Sequence, residues 1–200
     1  MRANTEGVSF VGSPGLVNAA MPTPHATHAR SPDDREAAWV AAARRGDRRA
    51  FARLYRRYAK MVHGILLSRV RPGDVRDLGQ DVFVAALDRL ANLTDDGRFG
   101  PWLASIARNC ATDHLRLRRV CVPVDDGLRA STPRAPQAVE ALQRILALPE
   151  PYRETMVLRL VEGMTGPEIA ARTGLTAGSV RVKLCRGMKL LREGMHRSTR

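Results

Sequence analysis

Aromatic residues are scarce, at 4% of the 200 residues. That leaves little material for an aromatic-lined recognition surface. Only three cysteines are present, Cys110, Cys121 and Cys185, and no two are spaced as a close ligand pair. An odd count in this arrangement suggests reduced thiols in a cytosol rather than a disulfide framework. The longest uninterrupted apolar run is the seven residues Ala37 to Ala43. A membrane-spanning helix needs roughly 20, so no membrane insertion is expected. The first thirty residues scatter glycine and proline without a solid apolar block, so they do not read as a secretory signal. The expected location is the cytoplasm. The motifs G-x-x-x-x-G-K-[ST], G-x-S-x-G and H-E-x-x-H are all missing, and no nucleophile has an obvious base. No enzymatic activity and no cofactor are expected.

What the chain does have is apolar content and positive charge. Hydrophobic residues make up 44%, enough to bury a core. Lysine and arginine total 33 against 20 acids, a net of +13, and all but three of the basic residues are arginine. The excess lies in two blocks, +8 over residues 36–120 and +5 over 137–200, with neutral stretches before and between them. Two basic blocks favour a polyanion partner, nucleic acid above all. An arginine-rich, GC-biased genome would contribute to the same total without any partner.

Residues 1–32 carry Pro14, Pro22, Pro24 and Pro32 among glycine, serine and threonine, the composition of a flexible tail. Helical signals begin at Asp33-Asp34 and run to Arg45, and Gly46-Asp47 breaks and recaps the chain. Phe51, Leu54, Tyr55, Tyr58, Val62, Ile65 and Leu66 then form one face of a long helix. Arg71-Pro72-Gly73-Asp74 predicts a turn and a new cap. Val75, Leu78, Val82, Ala85 and Ala86 predict a third helix, closing near Leu90. Asn92 to Gly100 reads as a polar loop, and Pro101 as the first residue of a fourth helix with the stripe Trp102, Leu103, Ile106, Cys110 and Leu117. Pro123, Pro133 and Pro136 mark 120–136 as a flexible linker. Beyond it a helix stops at Pro149 and a second runs from about Pro151 to Glu162. Thr165 and Glu168 form a capping box for a third, ending at Thr173, and a last helix runs from Ala177 to about Met195. No stretch alternates long enough for a strand. The expected fold is all-α. It comprises a tail (1–32), a first helical domain (33–119), the linker (120–136) and a four-helix domain (137–197) ending in a helix-turn-helix.

Within 168–180 each position has a mechanical reason. Ala170 is small enough for two helices to approach. Gly174 suits a left-handed turn. Ile169, Leu175, Val180 and Leu184 are apolar contacts between the helices, and Thr176 caps the second one. That second helix carries Arg181, Lys183, Arg186 and Lys189, with Arg192 behind, and can enter a major groove. An ordinary helical hairpin with a solvated basic face is the plainer alternative. In the first domain, Arg108, Thr112, Arg116 and Arg119 form a polar stripe on the fourth helix, just after a loop bearing Arg98 and Phe99. Such a pair can hold a strand backbone and trap an unpaired base, although solvated arginine faces are commoner. Cys110 and His114 stand at i, i+4, within reach of one metal ion, but a small buried thiol beside a surface imidazole explains them better. No metal is expected.

With both halves in view, the chain resembles an extracytoplasmic-function (ECF) sigma factor of bacterial RNA polymerase. Gly46-Asp47-x-x-Ala50-Phe51-x-x-Leu54-Tyr55-x-x-Tyr58 is similar to the family's first helical stretch. Asp74-x-x-Asp77-Leu78-x-Gln80-Asp81-Val82-Phe83 resembles the second, and Phe99-x-x-Trp102-Leu103-x-x-Ile106-Ala107-Arg108-Asn109-x-x-x-Asp113-x-x-Arg116 the third. Leu148-Pro149-x-x-x-Arg153-Glu154 and Gly163-Met164-x-x-x-Glu168-Ile169-Ala170 open the C-terminal domain as the family does. The resemblance covers about residues 35–195.

The resemblance implies partners and roles. Asp77, Leu78, Gln80, Asp81 and Phe83 would dock on the β′ coiled coil of core RNA polymerase, with further contacts to its β subunit. Arg98, Phe99, Arg108, Asn109, Asp113, Arg116 and Arg119 would bind and open the −10 element of promoter DNA on the non-template strand. Arg172, Thr176, Ser179, Arg181, Lys183, Arg186 and Lys189 would read the −35 element as duplex. The linker would thread toward the polymerase active-site channel, and an anti-sigma factor would be a regulator. Arg76 replaces a usual acid and Gly79 a usual aliphatic residue, departures that bear on docking. Val182 and Cys185 are less polar than the family norm, which bears on −35 preference. Leu78, Phe83 and Trp102 also fit as plain core residues, and Asp113 as a partner for Arg116 or Asn109 in its own helix. The competing function is a stand-alone helix-turn-helix regulator with an N-terminal sensory domain.

Overall fold

The computed structural model describes residues 32–121 and 136–198, with side chains for 35–118 and 137–194. Every regular element among the described residues is helical. The N-terminal half comprises α1 (Pro32–Arg44), α2 (Arg48–Leu67), α3 (Val75–Asp88) and α4 (Phe99–Cys121). The C-terminal half comprises α5 (Pro136–Leu146), α6 (Glu150–Leu160), α7 (Gly166–Thr173) and α8 (Ala177–Ser198). Residues 1–31 of the expected tail and 122–135 of the expected linker lie outside the described residues; Pro32 opens α1, and Val120, Cys121 and Pro136, expected in the linker, are helical.

α2 organises the first half because its apolar residues recur at helical spacing on one face. Leu54, Tyr58, Met61, Val62, Ile65 and Leu66 are buried, and α1, α3 and α4 all pack on the same helix. Each such aliphatic side chain contributes about 1.5–3 kcal/mol by leaving water. Asp47 starts α2 as its spacing predicts: its carboxylate accepts the amides of Arg49 at 2.8 Å and Ala50 at 3.1 Å. Asp74 behaves differently. Its backbone is already helical (φ −88°, ψ −14°), and its side chain caps nothing. Two side chains take it instead, His114 Nε2 at 3.1 Å and Arg118 Nη1 at 2.7 Å, which ties the start of α3 to the far end of α4. The same contact leaves His114 engaged with a carboxylate rather than turned to Cys110.

The stretch expected as a polar loop is more ordered. It forms two short 3₁₀ turns, Leu90–Asn92 and Asp96–Arg98, the second capped by Asp95. Arg44 at the end of α1 pins it, donating to the Leu93 carbonyl at 2.6 Å and to Asp96 Oδ1 at 2.5 Å. α4 begins at Phe99, so Pro101 is its third residue rather than its first. A proline is still tolerated there because amides of the first turn have no helical acceptor.

In the second half, the capping box opens α7 as expected. The Thr165 amide donates to Glu168 Oε2 at 2.9 Å, and the Glu168 amide donates to Thr165 Oγ1 at 3.4 Å. The Thr165 backbone amide, and then the Thr165 hydroxyl donating to Glu168 Oε2 at 2.8 Å, hold the Glu168 carboxyl below its ordinary value. Gly174 ends α7 at φ 77°, a left-handed conformation that costs an L side chain energy and glycine little. Thr176 then caps α8, accepting the Ser179 amide at 3.1 Å. Ile169 and Val180 are fully buried where α7 and α8 cross.

Candidate nucleic-acid and polymerase interfaces

α3 presents two opposite faces. Val75, Leu78, Val82, Phe83 and Ala86 point into the core. Leu78 is 9% exposed and Phe83 6%, and Phe83 packs against Phe51 and Tyr55, with the Tyr55 ring centroid at 4.5 Å. These two of the five candidate docking residues therefore support the helix from beneath. Asp77, Gln80 and Asp81 are exposed on the other side, in line with Val84 and Leu87. Val84 is 59% exposed and Leu87 49%, and Tyr55, packed on Phe83, is itself half exposed. The sequence reading missed all three as surface residues. The available signal was apolar residues at the register of Gln80 and Asp81, where a solvated face would be polar.

The basic stripe of α4 divides along its length. Asn109, Asp113 and Arg116 are exposed, and Arg116 approaches Asp113 at 3.8 Å. Such an exposed pair is worth little and leaves both groups available to a ligand. The Arg119 side chain lies outside the described residues. Arg98 is exposed in the second 3₁₀ turn. Phe99 has no exposed surface: it packs edge-on against Tyr58 and beside a half-buried Trp102, with centroids at 5.3 and 5.7 Å. The structure makes Phe99 the hydrophobic anchor of the loop rather than its outer face. Leu117, expected on the apolar stripe, is 67% exposed among the arginines.

Arg108 is committed elsewhere. Its Nε lies 3.1 Å and its Nη2 2.8 Å from the two carboxylate oxygens of Glu154 in α6, and Arg69 at the end of α2 reaches Glu154 Oε2 at 3.1 Å. Burial alone would raise the Glu154 carboxyl, but bonds and charge from Arg108 and then Arg69 outweigh it and hold the group below its ordinary value. A second buried acid, Glu36 in α1, accepts from the Tyr58 hydroxyl and pairs with Arg57 Nε at 2.6 Å. Neither cluster was foreseen from the sequence.

α8 exposes Arg181, Arg186, Lys189 and Arg192 along its outer surface, with Thr176 exposed at its start and Ser179 half buried. Lys189 has a loose partner, Glu193 at 3.9 Å. Val182 and Cys185 are also exposed, so the cationic face carries apolar atoms between its charges. Lys183 is turned into a crevice shared with Arg69, Arg108 and Glu150. Arg172 in α7 is half buried, bonded to Glu168 at 3.3 Å and to the Arg57 carbonyl at 3.4 Å. Burial pushes the half-buried Cys110 thiol up, away from thiolate chemistry. Among the described residues, no group of His, Cys, Asp or Glu is assembled to hold a metal ion, and no helix is long and apolar enough to cross a membrane.

Comparison with known proteins gives these surfaces a context. Residues 54–120 match the family model for sigma-70 region 2, and residues 138–191 that for sigma-70, region 4. RNA polymerase sigma factor CarQ of Myxococcus xanthus is 33% identical over 159 residues, covering 75% of this chain and 91% of CarQ. The ECF RNA polymerase sigma-E factor of Escherichia coli strain K12 is 30% identical over 166 residues, covering 74% and 87%. The structure of CnrH in complex with the cytosolic domain of CnrY matches with a TM-score of 0.58 at 26% identity, over 81% of this chain and 97% of that one. The chain belongs to the ECF family of RNA polymerase sigma factors, non-enzymatic proteins with sigma-70 regions 2 and 4 that direct RNA polymerase to promoters.

Proposed function

We propose a division of labour among three faces of this sigma factor. The exposed side of α3, with Asp77, Gln80 and Asp81 around Val84 and Leu87, docks on the β′ coiled coil, and Leu78 and Phe83 fix its shape from the core side. The mixture of carboxylates and apolar surface suits a partner helix with cations on its rim. Two apolar hollows beside α5 and α8, one lined by Leu148, Leu190 and Leu191 and the other by Ile145, Leu160 and Leu191, take the β subunit.

Arg98, Arg108, Asn109, Asp113, Arg116 and Arg119 engage the non-template strand of the −10 element, with Phe99 holding their loop. Arg181, Lys183, Arg186 and Lys189, with Arg172, Thr176 and Ser179, read the −35 element as duplex. Duplex contacts position the polymerase, and trapping of unstacked bases offsets a melting cost of roughly a few kcal/mol per extruded base. The protein acts in the cytoplasm, where core polymerase is. By analogy with CnrH and CnrY, an anti-sigma protein holds it inactive.

The observation that carries this reading is the separation of an acidic and apolar face on α3 from a cationic face on α8. Footprinting of the reconstituted holoenzyme tests it. Arg181→Ala with Arg186→Ala is expected to lose upstream protection while still binding core polymerase. Unchanged upstream protection would refute the assignment of α8.

A further inference from the structure

The contact between the two halves engages residues that a promoter would need. α6 packs on α2, and α7 packs on α4. Gly64 on α2 permits the first approach: a β-carbon there would lie 2.7 Å from Leu158 Cδ2 and 2.9 Å from Glu162 Cγ, and would meet nothing else closer than Leu158 Cγ. Gly100 permits the second, where a β-carbon would lie 3.0 Å from the carbonyl oxygen of Arg172. Polar groups close around these points. Besides the Glu154 cluster, His63 Nδ1 lies 2.5 Å from Glu162 Oε1, and Arg172 reaches the Arg57 carbonyl.

Arg69, in the turn after α2, and Arg108 on α4 converge on one carboxylate. Arg108 offers a two-pronged fork, and Arg69 adds a third N–H to the same oxygens. Such a fork fits the oxygens of a phosphate as well as those of a carboxylate. Glu154 is 12% exposed, so in this arrangement it excludes any other anion from the pair. Glu150 adds a second, looser acid at 3.4 Å from Arg69.

We propose that Arg69 and Arg108 form a binding site for a DNA backbone phosphate, and that Glu154 occupies it in the packed state, so that the chain inhibits its own promoter binding until the halves separate. The proposal rests on the promoter-binding reading above and adds Arg69 to it. Separation exposes three things together: the Arg69–Arg108 pair, Lys183 in the adjoining crevice, and Arg172. Docking on polymerase opens the chain only if it supplies more interaction free energy to the separated state than the packed contacts supply to the closed one.

The test uses the full chain without polymerase and a fork-junction DNA oligonucleotide as probe. Glu154→Gln keeps the shape of the side chain and removes its charge. The expected result is a larger radius of gyration by X-ray scattering and DNA binding about tenfold tighter, with a log–log salt slope steeper by about one, for the one freed phosphate contact. Gly64→Leu forces the same helices apart from an independent position and is expected to reproduce both changes. Adding Arg69→Ala and Arg108→Ala to Glu154→Gln is expected to abolish the gain while the radius stays large. Unchanged radius and affinity in both opening variants, each verified as folded by circular dichroism, would overturn the closed state. A gain that survives loss of Arg69 and Arg108 would overturn the phosphate site. Promoter-directed transcription by wild-type holoenzyme is a separate readout: it persists if only the latch is wrong, and fails if the promoter reading is wrong.

Discussion

Tyr58 in α2 donates its hydroxyl hydrogen to the buried carboxylate of Glu36 in α1, and Arg57 closes on the other carboxylate oxygen. Burial and then Glu36 raise the Tyr58 hydroxyl well above its ordinary value of 10.0. Burial works against charge on Arg57, and Glu36 outweighs it, so the guanidinium also stands above its ordinary value. A group whose folded pKa is raised contributes stability below its unfolded pKa and loses it as pH rises toward the folded value. Stability from Tyr58 is therefore complete below about pH 10 and falls above it. Tyr58→Phe is expected to cost about 1–2 kcal/mol at neutral pH and to flatten the alkaline decline, read by urea unfolding across pH.

Phe83 and Val84 are neighbours with opposite expected phenotypes. Phe83 is buried, so Phe83→Ala is expected to cost about 3–5 kcal/mol of stability. Val84 is mostly exposed, so Val84→Asp is expected to change stability by less than about 0.5 kcal/mol and still to abolish core polymerase association. Thermal melts and a pull-down with core polymerase separate the two. Retained association in Val84→Asp would place docking elsewhere.

Arg181 and Arg186 are exposed on α8. Their joint replacement by alanine is expected to leave the melting temperature unchanged and to reduce the salt slope of duplex binding by about two. Titration of a duplex across salt concentrations checks this.

The capping box of α7 predicts a local effect. Thr165→Ala is expected to cost about 1 kcal/mol. Because the Glu168 carboxyl is held below 4.5, its contribution is complete above that pH and is lost as pH falls through the lowered value. The gap between the wild type and Thr165→Ala should narrow in acid, as the bond from the Thr165 hydroxyl to the Glu168 carboxylate is lost, while the amide bond to Thr165 Oγ1 keeps part of it open, measured by denaturant unfolding.

Local features were legible in the sequence because local forces set them. The apolar spacing of α2, the Asp47 cap, the Thr165–Glu168 box and the left-handed Gly174 all depend on residues within a few positions. What failed depends on distant partners. Asp74 carried the signature of a cap, but His114 and Arg118, forty or more residues on, outbid the backbone amides for it. Phe99 looked like part of a reading loop, yet the ring of Tyr58 gave it a place in the core. The Glu154 cluster joins the turn after α2 to α4 and α6 across 46 and 85 residues, a contact that no periodicity encodes. The faces of α3 were half legible: its register fixed which side chains share a face, but not which face is covered.

The central claim is that this chain selects promoters for RNA polymerase. Transcription of a pooled genomic template by purified core polymerase, with and without the protein, tests it most directly when start sites are mapped. The account predicts discrete new starts that share two upstream elements and disappear with Val84→Asp. Specific duplex binding without polymerase, and no new starts with it, would contradict the account and identify a stand-alone regulator.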